Sequence, residues 1–232
     1  MKSKFLAIIP ARSGSKGILK KNIVNLCNKP LIQYTIEPAV RLKEEQKIID
    51  VIVSTDSKEI ASISSNLGAN VPFLRPKKLA TDKAKTIDVV LHIINYLGDK
   101  RDFFNTIILL QPTAPLRSYT DIKNAIDIFD IKLSCSLISV YKEEYLSDLI
   151  MYKKEGPFAL PLNKNHNKGL RRQENEELYI RNGAIYVTSV NFLMKEKKII
   201  SNSPLLYEMT KNRSINIDSY KDLEIAQCLL KR

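Results

Sequence analysis

Residues Phe5 to Asn22 read FLAIIPARSGSKGILKKN. The apolar run Phe5 to Ile9, closed by Pro10, is a buried strand. The loop after it sets Arg12, Lys16, Lys20 and Lys21 among Ser13, Gly14, Ser15 and Gly17. Glycines let a backbone approach a ligand, free N–H groups point at its oxygens, and cations offset its charge. A strand that ends this way is how an α/β protein holds a polyphosphate; the alternative is a basic surface turn. The spacing is not that of the P-loop, because the lysine precedes the second glycine, and it is not G-x-G-x-x-G.

Outward from this loop the chain alternates. Lys29-Pro30-Leu31 opens a helical pattern carried by Leu31, Ile32, Ile36 and Val40, and Asp50 to Ser54 is a second short β-branched strand. Thr55-Asp56-Ser57 is an N-cap cluster for a helix over 58–67, with Gly68 as its stop. Val71 to Leu74 reads as a third strand, and Ile87 to Leu97 as a helix. Thr106 to Leu110, TIILL, is the most apolar strand and is expected to be central. Gln111-Pro112-Thr113-Ala114-Pro115-Leu116-Arg117 follows, and its two prolines enforce a stiff, non-helical loop. Ligands of open α/β sheets sit at such strand ends. Ser118 to Phe129 is a helix and Ser136 to Val140 a strand. From Tyr141 to Arg181 the alternation breaks into an inserted arm, whose Met151, Tyr152, Phe158, Leu160 and Leu162 are expected to be buried. Asn182 to Val187 returns to strand, Ser189 to Lys195 is a short helix, and Tyr220 to Leu230 is the last one. Near-continuous apolar strands between helices predict an α/β fold: a Rossmann-like, mostly parallel sheet flanked by helices. Its expected domain is 1–140 with 182–232, interrupted by the arm at 141–181.

Length and charge narrow the function. A chain of 232 residues suits one large α/β domain with a small appendage. No window approaches the roughly 18 apolar residues of a membrane helix, and Phe5 to Pro10 is too short for a signal segment. Cys27, Cys135 and Cys228 lack metal-ligand spacing and read as reduced thiols, which points to the cytoplasm. The formal charge of +12 favours an anionic ligand. Nucleic-acid binding is not expected, since no basic stripe interleaved with aromatics and no known module is present.

Neither histidine, His92 within a helix or His166 in the polar arm, has the partners of a hydrolytic triad. The chain instead holds anion-binding groups at Arg12, Lys16, Lys21, Arg75, Arg117, Arg171 and Arg172, and one carboxylate, Asp218, in an apolar-flanked segment near its end. Positioned cations with one acid for a magnesium ion suit phosphoryl or nucleotidyl transfer, because Mg²⁺ is commonly held by one or two carboxylates plus the substrate's phosphates.

In order, the segments IIPARSGSKGILKKN, VSTDS, RPKKLATD, LLQPTAPLR, RRQ and NGAIYV resemble the sugar-acid cytidylyltransferases of the CMP-sialic acid synthetase group, over nearly the whole chain. The resemblance implies a nucleotidyltransferase that uses CTP and Mg²⁺ to activate a nine-carbon nonulosonic acid, releasing pyrophosphate. It implies a homodimer formed through the inserted arm. By matching position, Arg12, Ser15, Lys16 and Lys21, with Asn22 beside them, would hold the CTP phosphates. Arg75, Ala84 and Thr86 would line the cytidine pocket. Gln111, Arg172, Tyr186 and Phe192 would lie at the sugar acid, and Asp218 would bind the metal beside Asn216. Where the family reads Asp-Ile-Asp, this chain reads Asn216-Ile217-Asp218, so one ligand is an amide without charge. Where the family has Leu-Pro after Arg-Gln, this chain has Glu174-Asn175-Glu176. Sialic, legionaminic and pseudaminic acids all remain open as substrates. The alternatives are a cytidylyltransferase for an eight-carbon keto sugar acid and a nucleotide-binding homologue without catalysis.

Overall fold

The structure is a computed structural model that describes residues 3–98, 103–130, 134–143, 148–167 and 177–231. The chain runs through β1 (Phe5–Pro10), the short antiparallel pair β2 (Asn25–Leu26) and β3 (Lys29–Pro30), α1 (Gln33–Glu44), β4 (Asp50–Ser54) and α2 (Lys58–Asn66). It continues through α3 (Thr86–Leu97), β5 (Thr106–Leu110), α4 (Tyr119–Phe129), β6 (Ser136–Glu143) and the hairpin of β7 (Tyr152–Glu155) and β8 (Phe158–Pro161). Last come β9 (Leu178–Ser189), α5 (Val190–Glu196), β10 (Leu205–Glu208) and α6 (Tyr220–Leu230). Six strands form one sheet in the order β10-β6-β9-β5-β1-β4, and among the described residues only β9 runs against its neighbours. The expected mostly parallel α/β sheet is what the chain forms, made mixed by β9, with the TIILL strand inside it.

Side-chain alternation explains why these strands are apolar throughout. Phe5, Ala7 and Ile9 of β1, Val51 and Val53 of β4, and Ile108 and Leu110 of β5 share one core cluster with Ile36 and Ala39 of α1 and Ile122 and Ala125 of α4. The residues between them, Leu6, Ile8, Ile52, Ile107 and Leu109, join a second cluster with Val89, Val90, Ile93 and Ile94 of α3 and Leu193 of α5. A strand whose successive side chains point to opposite faces must be apolar at every position when both faces are covered. A third, smaller cluster unites Ile18 of the loop after β1 with Leu26, Leu31, Ile217, Leu223 and Ala226. It fastens the cationic loop to the segment that precedes α6.

Serine residues cap the starts of α2, α4 and α6, Ser57 from the expected cluster among them. The Ser57 Oγ accepts from the Ile60 N–H at 3.3 Å, and Ser118 and Ser219 each form a reciprocal capping box, with Asp121 and Asp222. Gly68, with φ of 87°, follows α2 in the left-handed region that glycine favours.

Three expectations need correction. Residues 71–74 do not form a strand; only the isolated parallel bridges Ile52–Asn70 and Thr55–Leu74 tie this stretch to β4. The strand around NGAIYV is twice as long as its sequence suggested, 12 residues, and antiparallel to both β5 and β6. The apolar residues of the hairpin are not buried: Met151, Tyr152, Phe158, Leu160 and Leu162 are all exposed, Phe158 at 69%.

Candidate functional site

The carboxyl ends of β1, β4 and β5 lie side by side, and the loops that leave them meet there. Parallel pairing sets Pro10 against Ser54, and the Ala11 N–H continues the ladder to the Ser54 carbonyl at 2.9 Å. The loop after β1 is then fixed by its own polar groups. Ser13 donates through both its N–H (2.8 Å) and its hydroxyl (2.6 Å) to the Asp56 carboxylate at the start of α2. Burial pushes the Asp56 pKa up, but those bonds and nearby Arg75 outweigh it and leave the carboxyl below its ordinary value. The Asn22 amide donates to the Arg12 carbonyl at 2.8 Å and closes the loop on itself.

Arg75 forms the opposite wall. Its Nε donates to the Ser54 Oγ at 3.0 Å, one terminal nitrogen to the Ser54 carbonyl, and the other to the Leu79 carbonyl at 3.4 Å. Only 5% exposed, the guanidinium has a pKa lowered by desolvation to about 10, Asp56 acting in the other direction. It joins the end of β4 to the turn Lys77–Leu79, from which the chain passes through Ala84 to α3.

A cavity of about 260 Å³ lies between these walls. Of the residues expected at the site, Arg12, Ser15, Lys21, Asn22, Arg75, Ala84, Thr86 and Gln111 line it, together with Asp82, Pro112 and Thr113. Residues spread over a hundred positions of sequence thus converge on one space at the strand ends.

The segment Asn216-Ile217-Asp218 is latched beside the loop. Ile217 donates its N–H to the Thr113 carbonyl at 2.7 Å, and Lys21 Nζ donates to the Ile217 carbonyl at 3.0 Å and to Asp218 Oδ1 at 2.8 Å. Asn216 Nδ2 donates to Asp218 Oδ2 at 2.7 Å. Lys21, expected at the phosphates, is therefore also the tether of Asp218. A Cβ built on Gly17 would stand 2.1 Å from the Asp218 carbonyl oxygen, whereas one on Gly14 would meet nothing within 4 Å. Gly17→Ala should therefore force loop and acid segment apart. Overpacking of this kind costs about 1–3 kcal/mol, and a melting temperature lowered by roughly 3–10 °C is expected for a chain of this size. Gly14→Ala should melt like the unsubstituted protein, and equal melting of both variants would contradict the close packing at Gly17.

Other expected residues lie elsewhere. Lys16 points outward and pairs with Asp82 at 3.3 Å, as Arg12 does at 2.7 Å. Tyr186, on β9, is partly buried against the second core cluster, and Phe192 is partly buried on α5; neither lines the cavity. Arg171 and Arg172 lie outside the described residues. Arg117, expected to bind an anion, does not reach the cavity. It is 2% exposed and donates to the Ala184 carbonyl (2.8 Å), the Thr35 hydroxyl (2.7 Å) and the Gln111 carbonyl (3.2 Å). Its role is to hold the proline-framed loop onto β9 and α1. Desolvation lowers its pKa to about 9, against the pull of Asp121. Of the histidines, His92 packs its ring against Phe73 at 4.8 Å and His166 meets Tyr152 at 3.0 Å, so neither faces the cavity.

Two acids at the site escaped the sequence reading. Asp56 was visible only as a helix cap, and Asp82 only as a polar residue of LATD. Both act through partners far away in sequence.

No group of three or more His, Cys, Asp or Glu side chains is placed to hold a metal among the described residues. The donors at Asp218 fit magnesium, a hard cation that keeps most of its shell as water and substrate oxygens. One carboxylate and the neighbouring Asn216 amide, beside the cationic loop after β1, are a donor set of the kind such an ion accepts. No helix among the described residues is long and apolar enough to cross a membrane.

Comparison with known proteins agrees with this geometry. A family model described as "Cytidylyltransferase" matches residues 6–228. The chain is 35% identical to the N-acylneuraminate cytidylyltransferase of Escherichia coli over 97% of its own length, and spans about half, 52%, of that longer protein. It is 33% identical to the pseudaminic acid cytidylyltransferase of Campylobacter jejuni, covering 98% of this chain and 97% of the other. Among solved structures it is similar in fold to CMP:2-keto-3-deoxy-manno-octonic acid synthetase complexed with CTP, with a TM-score of 0.71, 16% identity and 99% of each chain covered. The chain belongs to the cytidylyltransferase family.

Proposed function

We propose that this chain transfers the cytidylyl group of CTP to a nine-carbon nonulosonic acid, in a reaction that depends on Mg²⁺. The observation that carries this reading is the cavity at the strand ends, with Arg12, Lys21 and Arg75 on its walls and Gln111 on its floor loop, in a chain of the cytidylyltransferase family. The triphosphate would lie against the loop after β1, and the cytidine between Arg75, Ala84 and Thr86. The sugar acid would sit on the side of Gln111, toward Arg172, Tyr186 and Phe192. The anomeric hydroxyl oxygen forms a new bond to the α-phosphorus, the bond to the β-phosphate oxygen breaks, pyrophosphate leaves, and the hydroxyl proton is released. Arg12 and Lys16 would offset charge on the phosphate oxygens, and Lys21 would keep Asp218 facing them; fixed cations of this kind act without reorganising during the step. Mg²⁺ held by Asp218 and Asn216 would supply further charge neutralisation.

Calorimetric titration tests the nucleotide assignment: CTP with Mg²⁺ should bind at least tenfold more tightly than ATP or GTP, by about the discrimination that buried polar contacts to a base supply. Equal affinity for all three would remove the cytidine pocket from the account.

The exposed apolar residues of the hairpin support the proposed homodimer, since exposed apolar surface is a feature of protein interfaces. Sedimentation equilibrium should return twice the chain mass of 26.5 kDa, and a single-chain mass at micromolar concentration would contradict it. The three free cysteines accord with the cytoplasm as the proposed place of action.

A further inference from the structure

Asp82 occupies an unexpected position. Its carboxylate lies 2.7 Å from the Arg12 guanidinium and 3.3 Å from Lys16 Nζ, so one acid binds two of the cations proposed to meet phosphate. The same residue lines the cavity. Its segment, 77–85, is held mostly by short turns of its own: Leu79 N–H to the Pro76 carbonyl (2.8 Å), Ala80 to Lys77 (3.0 Å) and Ala84 to Thr81 (3.2 Å). At its base the Arg75 guanidinium reaches in to the Leu79 carbonyl, and the Leu79 side chain packs against the second core cluster. Thr81, Asp82 and Lys83 are exposed. A carboxylate and a phosphate oxygen are alike in charge and in accepting charge-assisted hydrogen bonds, so they compete for the same donors.

We infer that Asp82 is an internal counter-ion, which holds Arg12 and Lys16 in place in the free protein and is displaced from them by the phosphates of the nucleotide. The inference rests on the nucleotide reading proposed above. Exposed ion pairs are individually weak, so the contact orders two long side chains yet yields to a ligand carrying several negative charges. Because the apparent affinity for the nucleotide is the intrinsic one reduced by the fraction of molecules with free cations, Asp82 acts as a tax on binding.

The test is a set of titrations with CTP, inorganic tripolyphosphate and cytidine, on the unsubstituted protein and on Asp82→Asn and Asp82→Glu. Asp82→Asn keeps the shape and removes the charge. It should bind CTP and tripolyphosphate about three- to tenfold more tightly, the range expected when an exposed double ion pair no longer competes. Cytidine, which has no phosphate, should bind both proteins equally, and Asp82→Glu should stay close to the unsubstituted protein. A purely structural role would shift cytidine and CTP together. Unchanged or weaker CTP binding by Asp82→Asn would overturn the inference while leaving the nucleotide reading intact. An unsubstituted protein that binds neither CTP nor tripolyphosphate would overturn both.

Discussion

Asp218→Ala should lower turnover by roughly 10²–10³-fold at saturating Mg²⁺, the cost usually seen when one electrostatic donor to a developing charge is lost. The expectation comes from position. The side chain is 68% exposed at the edge of the site, yet both carboxylate oxygens are directed, one by Lys21 at 2.8 Å and the other by Asn216 at 2.7 Å. Its backbone is fixed by Gly17 and by the Ile217 bond to Thr113. An acid held this firmly beside a cationic loop has its oxygens fixed where a metal ion and phosphate oxygens would meet. The exposed pair itself adds little to stability, so the melting temperature should move by no more than about 2 °C. Turnover within threefold of the unsubstituted protein, at any Mg²⁺ concentration, would remove Asp218 from the metal assignment. Asn216→Asp adds the charge that this chain lacks at the neighbouring position, and should lower the Mg²⁺ concentration needed for half-maximal rate.

The largest loss of stability is expected at Arg117. Arg117→Met keeps much of the volume and takes this donor from the Ala184 carbonyl and the Thr35 hydroxyl, while the Gln111 carbonyl keeps the Ala114 N–H at 3.3 Å. Each buried polar group left unmatched costs about 1–3 kcal/mol. Relief from burying the charge, which holds the pKa down at about 9, offsets part of this. A net loss of about 3 kcal/mol in denaturant unfolding is expected, with loosening of the Gln111–Arg117 loop. Arg117→Lys should not restore the loss, since an ammonium cannot reproduce the planar fork that reaches three acceptors. A loss below about 1 kcal/mol for Arg117→Met would mean that the three bonds are not what holds the loop.

Arg117 also shows where the sequence stops being informative. Its place in a stiff loop at the end of the central strand made it resemble a ligand-binding residue. Whether a long side chain turns toward the cavity or into the core depends on acceptors supplied by α1 and β9, which are distant in sequence. The strands β1, β4 and β5 were legible because burial on both faces leaves an unbroken apolar run. Residues 71–74 resemble such a run but are at most partly buried and make isolated bridges, and Pro72 among them has no N–H to give to a ladder. The length of β9 was hidden for the opposite reason: Leu178 to Arg181 is exposed or partly exposed and mixed in polarity, and only its pairing with β6 marks it as strand. The cationic loop and Gln111 were placed correctly at the strand ends, because small residues and prolines there dictate local backbone. The pairing of Asp82 with Arg12 and Lys16 joins residues some seventy positions apart, and no local pattern carries it.

The most direct measurement is pyrophosphate release from CTP in the presence of Mg²⁺ and, one at a time, sialic, legionaminic and pseudaminic acids, with the eight-carbon keto sugar acid for comparison. The account predicts release with a nine-carbon acid, formation of the matching CMP-sugar in equal amount, and abolition of both by EDTA. Silence with every nine-carbon acid while CTP still binds, or release with the eight-carbon acid alone, would contradict it.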